Sequence, residues 1–238
     1  MRFIVALVLS FALIWACAKP LKKHPVPFYV GAIALVGLYI WGTSVGVRGE
    51  MWSMFQPLMQ RCALAFLLFS IVMFVGVLGE KSALRVRLMP IRRQLSILGC
   101  IFAAGHIMFY GSSYVPRLSS AFSGNLAFSL GLAALITALM AVLCVTSFQI
   151  VRHGMSAAAW KRVQRLAYPF YLLMYVHLAL LLMPSALAGN QVAVISIAVY
   201  SVIVGAYAVL RAAKALGDRA GSTAAARTAD LDLESAAA

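Results

Sequence analysis

The 238-residue chain is 63% hydrophobic and 11% charged, with 20 Lys and Arg against 6 Asp and Glu and a formal net charge of +14. A soluble domain of this length has too little interior to hide that much apolar surface, so composition excludes an ordinary globular fold and points to one all-α, polytopic membrane unit. The basic excess would suggest nucleic acid in a soluble chain; here it falls between apolar runs, so it reads as a topology signal and no nucleic-acid partner is expected.

Seven apolar helices are predicted, at about 3–18, 28–46, 56–78, 95–113, 126–148, 166–184 and 191–210. The first, MRFIVALVLSFALIWACA, has a basic start, an apolar run and a small-residue ending. That pattern also fits a signal peptide; it is read here as a retained extra N-terminal helix, forming with its basic loop a unit over 1–27. The next six helices form the bundle, 28–210. Beyond it, 211–238 is rich in Ala, Ser and Asp with no large apolar face, and is expected to be a mobile cytoplasmic tail.

The loops give the bundle a direction. Lys19, Lys22 and Lys23 follow the first helix; Lys81, Arg85, Arg87, Arg92 and Arg93 the third; Arg152, Lys161, Arg162 and Arg165 the fifth; and Arg211, Lys214, Arg219 and Arg227 the seventh. The opposite side holds Arg2, Arg48, Arg61 and Arg117. Strict alternation of this kind places the N-terminus outside and the C-terminus in the cytoplasm of a multi-pass, inner-membrane protein, with a bacterial cytoplasmic membrane the expected location.

The chain shows no internal repeat, Walker loop, GxGxxG or nucleophile elbow. Glu50, Glu80, Asp218, Asp230, Asp232 and Glu234 all lie outside the apolar spans, which argues against a proton-driven transporter built on intramembrane carboxylates. Cys17, Cys62, Cys100 and Cys144 each fall within or at the edge of a span, form no CxxC, and read as small packing residues.

Two histidines stand out. LGCIFAAGHIMFYG places His106 inside the fourth helix, and LAYPFYLLMYVHLALLLMP places His177 inside the sixth. Both helices run outward from the cytoplasm; His106 follows Arg93 by 13 residues and His177 follows Arg165 by 12. Both imidazoles therefore sit roughly 18–20 Å beyond their basic anchors. A polar group in hydrocarbon is costly and calls for a partner. Each histidine could simply bond a neighbouring helix, but two neutral imidazoles at one depth can also ligate one iron axially, as in a bis-histidine haem. Gly99, seven residues before His106 on the same helical face, is expected to leave room for a flat macrocycle. Phe102, Phe109 and Tyr110 surround His106, and Tyr171 and Tyr175 precede His177. Met108 or Met174 could replace one axial histidine, while His24 and His153 lie in loops and read as solvated.

The segments RRQLSILGCIFAAGHIMFY (Arg92 to Tyr110), CVTSFQIVRHGMSAAAWKRVQRLAY (Cys144 to Tyr168) and YVH (Tyr175 to His177) combine an arginine pair, a histidine helix, a Thr-Ser helix end, a Trp-led basic loop and a final histidine. Over about 48–210 this pattern resembles the ferric reductase-like transmembrane domain family, and within it the haem-binding membrane subunits that serve periplasmic methionine sulfoxide reductase. The resemblance implies haem b and transmembrane electron transfer, with His106 and His177 as the iron ligands and metal-binding residues. Many members carry a further histidine about thirteen residues before the final one. Here Gln164 holds that place, and Arg93 stands thirteen residues before His106.

One haem is therefore expected, with a flavin, a quinone or quinol, or a donor protein bridging the remaining gap to the cytoplasm. Arg92, Arg93, Trp160, Gln164 and Arg165 line that end and could hold an anionic cofactor; the arginines also suit lipid phosphates. No residue looks like a catalyst of bond making, so the reading is a cytochrome b-type electron-transport subunit of an oxidoreductase system. It would pass electrons to an extracytoplasmic redox partner. A haem-free scaffold or small transporter, and a direct ferric reductase, are the alternatives.

Overall fold

The structure is a computed structural model that describes residues 2–115 and 124–237; for 2–10, 13 and 221–237 it describes the backbone alone. Arg117 lies outside the described residues. The regular structure described is all helical: α1 (Arg2–Lys23), α2 (Pro25–Ser44), α3 (Glu50–Gln60), α4 (Ala63–Val77), α5 (Ala83–Leu88), a 3-10 turn at Met89–Ile91, α6 (Arg92–Tyr114), α7 (Gly124–Val145), α8 (Gln149–His153), α9 (Ala157–Gln164), α10 (Ala167–Leu187) and α11 (Gln191–Ala237).

Among the described residues, five helical segments are long and apolar enough to cross a membrane, and a sixth if the bent pair α3–α4 counts as one. Seven were expected, and the count of five or six does not include α1. In that helix Lys19, Lys22 and Lys23 belong to the last turns, and only His24 separates it from α2, whose first residue is Pro25. Proline suits that position because its missing N–H would have no helical partner there.

Side chains such as Val30, Ile33, Val202 and Val209 are exposed along α2 and α11. An apolar surface of this extent belongs in a lipid bilayer, where helices satisfy every backbone polar group internally.

The helix predicted over 56–78 is in fact broken. α3 and α4 meet at 54°. Pro57 lies within α3, and Cys62 takes a left-handed φ of 56° at the junction, which ends one helix and restarts the next. At the other end of the chain the α11 backbone continues through 211–237, the segment expected to be a tail; its Ala-rich composition favours helix.

Cross-helix contacts set the directions. Phe69 meets Gly99 and Val72 meets Arg92, so α4 and α6 are antiparallel. Asn125 meets Leu180 and Ser129 meets His177, so α7 and α10 are antiparallel. Tyr171 packs on Tyr207 and Tyr175 bonds Ser201, so α10 opposes α11. Phe66 packs on Tyr200 and Phe74 on Tyr207, so α4 parallels α11. It follows that α6 and α10, the two histidine helices, are parallel. The core between them is aromatic, centred on Phe66, Phe69, Phe170, Tyr171 and Tyr200, with Ser70 Oγ and Tyr171 Oη hydrogen-bonded at 2.8 Å inside it.

Candidate functional site

His106 stands on α6 opposite the α3–α4 break. Because α4 restarts only at Ala63, the Gln60 carbonyl at the end of α3 is left outside the helical ladder. The Nδ1 of His106 lies 2.7 Å from it. A carbonyl only accepts, so Nδ1 carries the proton and the ring lone pair sits on Nε2. The Tyr110 ring, one turn further along α6, lies 4.8 Å from the imidazole.

His177 has the same arrangement on another helix. Its Nδ1 is 3.0 Å from the Ser129 carbonyl of α7, so this ring too holds its proton on Nδ1 and its lone pair on Nε2. Ser129 is fully buried, and its Oγ has no hydrogen-bond partner. Asn125 of α7 donates to the Leu180 carbonyl of α10 nearly one turn away, which fixes the register of the two helices.

The depths match. A Cβ on Gly99 would stand 2.9 Å from the Phe69 ring, and the Phe170 ring centre is 5.0 Å from the same ring. Gly99 and Phe170 are therefore level, on parallel helices, and each histidine follows seven residues later, about 10 Å further along its helix. Among the described residues, α6 and α10 do not pack directly along their length; α4 and α7 contact both. Both imidazoles are neutral and held through Nδ1 on parallel helices, and no hydrogen bond to either Nε2 is found among the described residues, so each Nε2 could ligate an iron. No group of three or more His, Cys, Asp or Glu is assembled among the described residues.

Gly99 does not have the role expected of it. Its missing side chain is taken up by Phe69, so it allows close approach of α4 and α6 and leaves no vacancy for a macrocycle. Met108 is 59% exposed on the bundle surface, and Met174 packs in the aromatic core. His24 and His153 are exposed.

The basic end holds a cavity of about 500 Å³, lined by Arg92, Arg93, Trp160 and Gln164 among others; Arg165 lines a smaller neighbouring recess with Arg92 and Trp160. These five predicted residues are thus brought together, and neither His106 nor His177 lines either recess. Arg92 donates from Nε to the Val72 carbonyl at 3.1 Å. The Thr146 turn organises the far wall: its carbonyl accepts from Trp160 Nε1 and its Oγ1 from Gln164 Nε2, both at 3.2 Å. Arg152 lies over the Trp160 ring at 4.9 Å. Gln94, buried in the cavity wall, has an Oε1 without a partner.

Sequence reasoning missed Gln60 and Ser129, because a backbone carbonyl has no residue signature. It missed Gln94, and it noted Thr146 only within the Thr-Ser helix end, without its bonds to Trp160 and Gln164.

No protein-family profile matches the chain. An uncharacterized protein of Treponema pallidum (strain Nichols) is 36% identical over 231 residues, covering 94% of this chain and 63% of its own length. The chain thus spans somewhat under two thirds of the relative it matches.

Proposed function

We propose that the chain is a membrane b-type cytochrome of the ferric reductase-like kind. It would pass electrons from a cytoplasmic flavin or quinol donor to an extracytoplasmic oxidoreductase or other acceptor through one bis-histidine haem. The observation that carries this reading is the paired Nδ1 tether: Gln60 and Ser129 carbonyls hold two imidazoles on parallel helices with both Nε2 lone pairs available. When bound, haem supplies reversible one-electron chemistry. The chain's own part is to fix both ligand tautomers, to exclude water with the aromatic core, and to set the depth of the site.

The basic cavity supports the donor side. Arg93 and Gln164, where two-haem members of the family would carry an inner ligand pair, both line it. Neither side chain ligates iron, and the volume falls within the range of small-molecule sites. Arg92, Trp160 and Arg165 add donors at its rim. In the same reading α1 is a seventh span, the N-terminus is outside and the C-terminus cytoplasmic, in keeping with the basic loops.

The test is the optical spectrum of purified, haem-replete protein after dithionite. A b-type α-band near about 560 nm, lost in His106→Ala and in His177→Ala, is the expected result. A protein without the band would leave the histidines as helix contacts in a haem-free scaffold, and variants that keep it would put the haem on other ligands. Reporters fused at each terminus check the orientation.

A further inference from the structure

The cavity of about 500 Å³ at the basic end is graded from polar to apolar. On α6 its wall runs from Arg93 and Gln94 to Ile97 and Cys100; Arg92 and Cys100 are about 12 Å apart along the helix. On the antiparallel α7 it runs from Thr146 to Leu143 in the same sense. The polar end lies beside the last residue of α7 and the first of α10, Val145 and Ala167. Met89, at its edge, is 39% exposed.

The guanidiniums of Arg92, Arg93 and Arg152 line the polar end, and no Asp or Glu lines this cavity or the recess beside it. Arg92 is held by the Val72 carbonyl, and Arg152 lies over the Trp160 ring. Arg93 is half-buried, and no hydrogen bond or ion pair of its guanidinium is found among the described residues. Grouped cations without a counter-charge call for an anion. Gln94 is 6% exposed and its Oε1 has no partner, so the wall also calls for a donor. An inorganic anion would answer the arginines alone. A phosphodiester with a hydroxyl on one side and hydrocarbon on the other answers the arginines, Gln94 and the apolar wall together.

We propose that this cavity binds the headgroup of an anionic, hydroxyl-bearing glycerophospholipid of the phosphatidylglycerol type. The phosphate accepts from Arg93 and Arg152, a glycerol hydroxyl donates to Gln94 Oε1, and the upper part of one acyl chain lies against Ile97 and Leu143. The rest of the lipid stays in the bilayer. A basic pocket between membrane helices at the headgroup level is a setting in which such lipids are held. The inference is independent of haem. It adds to the donor reading an occupant that a donor would have to displace from the same cavity, and its failure leaves that reading untouched.

The experiment is native mass spectrometry of the full-length protein, stripped of lipid in detergent. It is titrated with phosphatidylglycerol, phosphatidylcholine or phosphatidylmethanol of the same acyl chains. Phosphatidylglycerol should bind at least about tenfold more tightly than phosphatidylcholine, the scale of one charge-assisted hydrogen bond. Arg93→Gln/Arg152→Gln should remove that preference, and Lys19→Gln/Lys22→Gln, neither of which lines the cavity, should keep it. Gln94→Leu should remove only the preference over phosphatidylmethanol, which carries the same charge without the glycerol hydroxyls. Equal binding of phosphatidylglycerol and phosphatidylcholine, or a preference that survives loss of both arginines, would overturn the site. Displacement of the lipid by an equal concentration of glycerol 3-phosphate or riboflavin 5′-phosphate would give the arginines to a soluble phosphate and overturn the lipid. A phosphatidylglycerol with a photoreactive group high in one chain locates the site in the wild type, even if a variant fails to fold. Cross-links to α6 and α7 peptides around Ile97 and Leu143 are expected, and cross-links only elsewhere would overturn the proposal.

Discussion

Gly99 and Phe69 are in direct contact across the α4–α6 interface: a Cβ on Gly99 would lie 2.9, 3.1 and 3.2 Å from three atoms of the Phe69 ring. The ring has no easy retreat, because Phe170 meets it edge-on from α10. Gly99→Ala should therefore cost about 1–3 kcal/mol through overpacking, read as a lowered Tm in detergent. Gly111→Ala, on the same helix with nothing within 4 Å of its Cβ, should be neutral or gain up to about 1 kcal/mol from helix propensity. Equal effects of the two substitutions would contradict the packing described.

The Ser70–Tyr171 hydrogen bond joins α4 to α10 in the middle of the aromatic core. Ser70→Ala strands a buried hydroxyl, and Tyr171→Phe removes the other partner. A double-mutant cycle of unfolding free energies should show a coupling of about 0.6–2 kcal/mol, the range for interhelical bonds in membranes. Additive losses would mean that the bond is not formed.

Arg87 fastens α1 to the bundle. Its Nε donates to the Trp15 carbonyl at 3.0 Å, and its guanidinium sits 4.5 Å from the Trp15 ring centre. Arg87→Gln should loosen the C-terminal half of α1 by about 1–2 kcal/mol. Faster alkylation of the half-buried Cys17 in intact membranes, severalfold over wild type, is the measurement; an unchanged rate would show that α1 is held by other contacts.

The haem count follows from the two ends of the bundle. Pyridine-haemochrome assay should give one haem per chain. Gln164→His alone should add no second haem, because Arg93 faces the same cavity without a ligating atom. A stoichiometry of two in the wild type would overturn the single-site reading.

Five of the apolar segments after the first were readable from sequence because each is a run of about twenty mostly apolar residues with a basic loop at one end. The matched histidine depth was readable by counting from Arg93 and Arg165, and the Phe69 contacts give the same answer by a separate route. The α3–α4 break was not read: Pro57 was visible, but a left-handed Cys62 is set by how the chain must turn, and not by the preference of cysteine. Gly99 was placed on the correct helix and given the wrong task, since a glycine can leave a vacancy or admit a neighbouring ring, and only the neighbour decides.

What the sequence determined by itself was one-dimensional: which segments are apolar, their alternating loop charge, and how far along each helix its imidazole lies. Hydropathy and helical rise are local properties, and the bilayer supplies a fixed external ruler for them. The lateral arrangement was decided only in the tertiary structure. It chose the Gln60 and Ser129 carbonyls as the imidazole partners, put Phe69 against Gly99, and gathered Arg92, Trp160 and Gln164 around one cavity. Helices that are apolar on every side carry little record of which face meets which neighbour, because lipid and protein are equally good apolar surroundings. That choice rests on side-chain fit and on the few carbonyls a helix break sets free, and both exist only once the helices are together.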